Sequence, residues 1–194
     1  MEQALRFLID TVFGLFTYTF LLRFMMQALR APFRNPLGPA VIALTDWAVK
    51  PLRRMVPGVR GLDWSTLLLA WLAQWLWLLA LAAASATGIA GPLVPLFALL
   101  ALVELLKAAL WIVIIAVFAQ AILSWVAPDG PLSGLLNALT FRFLAPVRRL
   151  IPPLGGTLDL SPLIVIVLAQ LALMLPVHWL ELAVLQLYRA GVSG

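Results

Sequence analysis

The sequence predicts an all-α, polytopic membrane protein with about four transmembrane helices, arranged as two parallel repeats of span, interfacial helix and span. Three observations predict this class. Of the 194 residues, 64% are hydrophobic and only 11% charged, whereas a soluble domain is about half apolar and roughly a quarter charged. Four apolar stretches reach the ~20 residues that a helix needs to cross a hydrocarbon core ~30 Å thick. A basic, proline-punctuated loop also occurs twice, at an offset of 95 residues.

The first span runs from about Leu5 to Leu29 and carries Asp10 and Arg23. Glu2 stands where a signal peptide would be basic, and Arg23 and Arg30 stand where its cleavage site would be, so the segment reads as retained. The loop that follows opens a short helix at Asn35-Pro36, with Asn as cap and Pro in the first position. Leu37, Val41, Leu44 and Ala48 recur there at helical spacing. Too short to span, this helix is expected to lie along the inner membrane interface with its apolar side in the acyl boundary. Pro51-Leu52-Arg53-Arg54-Met55-Val56-Pro57 comes next and is expected to form a turn, because proline cannot continue a helix. Asp63 and Ser65 then cap the second span, about Ser65 to Thr87.

The second unit repeats this order. Its first span ends near Val126, and the apolar piece at residues 93–103 either joins it as one long helix or lies apart. Leu132, Leu135, Leu136, Leu139 and Phe143 form the second interfacial stripe. Pro146-Val147-Arg148-Arg149-Leu150-Ile151-Pro152 matches the first arginine motif, while Pro153-Leu154-Gly155-Gly156 stands where the first copy has Gly58-Val59-Arg60-Gly61. Asp159 and Ser161 open the fourth span, about Pro162 to Gln186. Asp63 and Asp159 lie near enough in sequence to pair with the arginines of their own loops. The repeat divides the chain at residues 1–90 and 91–194.

Lysine and arginine are distributed unevenly between the two sides. Nine fall in the two large loops, against Arg6 and Arg189 on the other side, and the Thr87–Pro92 turn has no charge. By the positive-inside rule both loops are expected to be cytoplasmic, with both termini and the short turn on the outer side. The net charge of +5 therefore reflects topology, and no nucleic-acid partner is expected. With no cysteine and one histidine, His178, the chain has no material for disulfides or thiolate metal sites. No cofactor, metal or catalytic set is expected, and the protein reads as a non-enzyme.

The candidate sites are polar groups in an apolar chain. Arg53, Arg54, Arg148 and Arg149 read as a lipid- or partner-binding set for anionic headgroups, or for a membrane protein partner or a homo-oligomer. Gln74 and Gln170 occupy matching places in the second and fourth spans and read as packing glue, brought face to face across the repeat axis. Glu104 and Lys107, three residues apart, share a helix face and form a possible intramembrane pair. His178 and Glu181 share another.

The tandem Asn-Pro-Leu, Pro-Leu-Arg-Arg and Asp-x-Ser elements, with a glutamine in the following span and the Ile122-Leu123-Ser124-Trp125-Val126 run, resemble the YggT family (YlmG-like) of small bacterial inner-membrane proteins. The resemblance covers roughly residues 5–185. It implies a membrane-organisation or assembly role, a link to osmotic and potassium tolerance through a channel or transporter, or an accessory part in cytochrome and haem maturation.

Overall fold

The computed structural model describes residues 2–84, 94–151 and 159–193. The Thr87–Pro92 turn, Leu93, Pro152 and Pro153-Leu154-Gly155-Gly156 lie outside the described residues. Among the described residues seven α-helices follow in order: α1 (Glu2–Ala28), α2 (Gly38–Met55), α3 (Trp64–Ala84), α4 (Val94–Val126), α5 (Ser133–Leu150), α6 (Ser161–Ala172) and α7 (His178–Ser193). Among the described residues four helical runs are long and apolar enough to cross a membrane: Gln3–Ala28, Trp64–Ala84, Val94–Val126 and Ser161–Leu187. The order is long, short, long in each half of the chain, and the protein is a membrane protein.

The choice left open at residues 93–103 is resolved from Val94 onward. α4 is one continuous helix of 33 residues, ~50 Å long at ~1.5 Å per residue. It is also the central one, with 44% of its most apolar window buried against 11–22% for the other spans. α3 and α1 pack on one side of it, and α6 and α7 on the other. Small side chains line these seams, including Ala70 and Ala73 on α3, Ala108 and Ala116 on α4, and Ala169 on α6. Alanine lets backbones approach closely, which matters where lipid removes the hydrophobic drive between helices.

The fourth span widens at Leu173–Val177 into a five-residue π segment around Pro176. Proline has no N–H to give the carbonyl four residues back, and a π turn is a known way for a helix to absorb such a lesion.

The arginine motifs are helical, which corrects the expected turns. Pro51 lies inside α2 and Pro146 inside α5, and Arg53, Arg54, Arg148 and Arg149 occupy the last turns. Both prolines are exposed, so a carbonyl left without its intrahelical donor can be reached by solvent. Each helix gains a pair of cations at its C-terminal end, where the macrodipole favours them. It ends one turn after the proline, with Val56 N donating to Leu52 O and Ile151 N to Val147 O, both at 2.8 Å.

The start of α2 also differs in detail. Asn35 caps it, its Oδ1 accepting from the backbone N–H of Leu37 (2.8 Å) and Gly38 (3.0 Å). Pro36 sits in the turn, and Pro39 is the first-turn proline. The buried stripe is Gly38, Val41, Thr45 and Val49, so Leu44 points outward. On α5 the buried set is Leu135, Leu139, Thr140, Leu144 and Val147.

Candidate functional site

Polar side chains gather at three levels along the bundle; the two halves use the same residue types at the elbow and different ones at the other two levels. At the elbow, where α2 turns into α3 and α5 into α6, an arginine is bound to an aspartate of its own half. Asp63 is fully buried and accepts from Arg53, from the Ser65 hydroxyl and from Thr66 Oγ1, the last at 2.6 Å. Arg148 donates to Asp159 Oδ2 from Nε (2.9 Å) and Nη2 (2.8 Å), and Ser161 N donates to Oδ1 at 2.9 Å.

Burial acts to raise both carboxyls, but the donors prevail. The hydroxyls of Ser65 and Thr66 and the Arg53 guanidinium hold Asp63 below the ordinary value. Ser161 and Arg148 do the same for Asp159. Arg54 and Arg149 differ from their neighbours. Both are exposed and hold no hydrogen bond or ion pair with another described residue. The four arginines read together from sequence therefore separate into two latched and two free.

One level up, each half's first span reaches its short helix. Arg23, buried in α1, donates from Nη1 to Thr45 Oγ1 (2.5 Å) and Asp46 Oδ1 (2.8 Å). Lys50 adds a second cation to Asp46 at 2.7 Å. Hydrogen bonds from Lys50 and Arg23 together hold the Asp46 carboxyl below its ordinary value. In the second half Gln120 of α4 takes the place of Arg23, bonding Thr140, the repeat mate of Thr45, and Asn137.

A further level lies 13 residues along α1 and α4 from these, ~20 Å. There Asp10 accepts from Trp77 Nε1 of α3 at 2.7 Å. Lys107 pairs with Glu104 on its own helix and with Glu181 of α7, both at 2.8 Å. His178 Nδ1 stands 3.6 Å from Glu181. The pair expected from sequence is present, joined to the second expected pair in a string of four. Nothing in the sequence announced the join, because the register of α4 against α7 is set only by packing.

A cleft of about 270 Å³ opens beside this string between α1, α3 and α4. Asp10, Tyr18, Gln74, Glu104, Lys107 and Trp111 line it. Gln74 thus faces α1 and α4. Gln170 lies on α6, which makes no contact with α3 among the described residues. The two glutamines do not meet, because the halves pack side by side around α4 and not around a shared axis between α3 and α6. A second groove, about 500 Å³, runs between α4, α5 and α6. Phe118, Leu144 and Ile166 are among its apolar lining residues, and Gln120, Arg148 and Asp159 among its polar ones.

Comparison with known proteins places the sequence among relatives. Residues 2–84 and 99–180 match the model of the CCB3/YggT family. The chain is 35% identical to an uncharacterized protein of Vibrio alginolyticus over 171 residues, 88% of this chain and 91% of the relative. It is 33% identical to an uncharacterized protein of Pseudomonas aeruginosa over 180 residues, covering 92% and 90%. It is also similar to the uncharacterized protein YggT of Escherichia coli, 32% identical over 171 residues, covering 86% and 85%. No solved structure matches the chain.

Proposed function

The chain belongs to the CCB3/YggT family, and from that premise we propose that it is a non-enzymatic membrane scaffold whose two elbows hold anionic lipid headgroups. The observation that carries this reading is the division of labour inside each arginine pair. Arg53 and Arg148 are tied to Asp63 and Asp159, which fixes the end of the short helix. Arg54 and Arg149, the next residue in each, stay exposed and unpaired among the described residues. Charge placed only to set topology needs no such latch, since lysine anywhere in the loop would serve.

The groove beside the second elbow supports the same reading. Phe118, Leu144 and Ile166 offer an apolar wall for an acyl chain, and the Arg148–Asp159 pair lines the polar part of the groove, one residue before the free Arg149. A basic residue near an anionic surface contributes about 1 kcal/mol. In this reading α2 and α5 lie at the inner face of a bacterial inner membrane, with the loops cytoplasmic and the termini periplasmic, as the lysine and arginine bias predicts.

The test is lipid recovery. R54A/R149A purified in mild detergent should carry less phosphatidylglycerol and cardiolipin by mass spectrometry than the unmodified chain, with an unchanged melting temperature. R53A/R148A should lower the melting temperature. Equal anionic lipid on R54A/R149A would remove the proposal.

A second reading, a channel or transporter subunit, is favoured by the string Glu104, Lys107, Glu181 and His178 beside a cleft that also holds Asp10. Potassium or proton flux into liposomes carrying the protein, abolished by K107M, would support it. Absence of flux at every imposed potential would dismiss it.

A further inference from the structure

The two halves of the chain meet through a one-sided contact. α3 packs on α4, and α1 touches α4 and α5, but among the described residues α6 and α7 touch neither α1 nor α3. A two-fold relation between halves would match the α3–α4 contact with one between α6 and α1. Among the described residues no Cα of α6 lies within 8 Å of one in α1, so the interface is heterologous: it uses one patch of the first half and a different patch of the second. Each patch has a counterpart on the other half that the chain itself leaves uncovered.

The repeat identifies those counterparts. On α3 the patch contains Trp71 and Trp75, whose indole N–H groups donate to the carbonyls of Ala98 (3.0 Å) and Val94 (3.3 Å) of α4. It also contains Leu67, which shares an apolar groove with Leu102 and Leu105. The offset of 96 that equates Asp63 with Asp159 carries Leu67, Trp71 and Trp75 onto Leu163, Val167 and Leu171 of α6. The offset of 97 that equates Arg23 with Gln120 carries Leu102 and Leu105 onto Leu5 and Leu8 of α1. All five counterparts are exposed, Leu8 at 58% and Leu163 at 60%; in the α3–α4 contact Leu105 is covered at 7%, while Leu102 stands at its open edge at 51%.

We propose that a second copy of this chain covers these faces, with α6 of one copy docking on α1 of the next as α3 docks on α4 within each copy. The operation that carries the first half onto the second, applied once more, carries the second half onto the first half of a neighbour. α1 and α4 run in the same direction, as do α3 and α6, so matched residues meet at one depth in the bilayer. A rotation about the membrane normal closes such a series into a ring, and two chains supplying four halves are the smallest closed form. Valine and leucine replace both tryptophans at the contact between copies, so it lacks the indole–carbonyl bonds and is the weaker of the two.

The absence of native cysteine makes the contact testable in membranes. Leu8→Cys and Leu163→Cys, carried on differently tagged copies expressed together, should give a mixed disulfide dimer on oxidation. Neither variant alone should do so, because a heterologous contact never brings a residue against its own copy. A mixed yield no greater than that of each variant alone would overturn the proposal, and so would dimers from L8C alone. The unmodified chain in lipid nanodiscs should give native masses of two or more copies. A single copy throughout would equally overturn it, leaving lipid as the cover of both faces.

Discussion

Arg23 shows how an apolar span retains a charge. Its guanidinium is buried, yet Thr45 and Asp46 accept hydrogen bonds from it, and Lys50 keeps the shared carboxylate balanced from outside. The second half achieves the same tie with the neutral Gln120. Arg23→Gln should therefore keep the Thr45 bond and cost less than Arg23→Leu. The leucine variant leaves Asp46 with Lys50 alone, at about 1–3 kcal/mol, below the roughly 3–5 of breaking a fully buried pair. Thermal melting of the two variants in one detergent checks the order. Gly38 sets a different limit, since a Cβ there would lie 1.9 Å from the Phe33 carbonyl oxygen. Gly38→Ala forces backbone to move and should cost about 1–3 kcal/mol, seen as a lower melting temperature, whereas Ser133→Ala at the matching place in α5 should be milder.

At the scale of elements, the elbows are latches of unequal depth. Asp63 is fully buried with three side-chain donors, while Asp159 and Arg148 are both partly exposed. Asp63→Ala should cost about 2–4 kcal/mol, less than the full figure for a buried pair because Arg53 reaches solvent. Asp159→Ala should cost about half as much. Both carboxyls sit below their ordinary value in the folded chain, so each stabilises the fold when ionised. That contribution is complete above the ordinary carboxylate range and is lost as pH falls through about 4 towards the folded value. The melting-temperature gap between the unmodified chain and Asp63→Asn should accordingly narrow below about pH 4.

The aspartate–arginine pairing was legible in the sequence, because the partners lie 10 and 11 residues apart. The helical path through Pro51 and Pro146 was not. A proline costs a helix most where its carbonyl partner is buried, and exposure is a tertiary fact that local spacing does not carry.

At the scale of the molecule, four spans and two loops could be read from hydropathy and charge because a bilayer imposes length and polarity on every crossing segment. Their mutual placement could not. Gln74 and Gln170 share a register, yet register along two helices says nothing about which helix stands between them, and here it is α4. The join of Lys107 to Glu181 was hidden for the same reason.

The length of α4 has a consequence for the bilayer around it. At ~50 Å it exceeds the ~30 Å hydrocarbon thickness by far, and such an excess is relieved by leaning, by protruding, or by thickening nearby lipid. Because α3 and α6 both clasp this mast, any change in its lean is shared by both halves of the chain. Reconstitution in lipids of 14- to 22-carbon acyl chains should therefore shift the helix order parameter by polarised infrared spectroscopy, with the mast more upright in the thicker membranes. An angle indifferent to acyl length would mean that protein packing alone sets its pose.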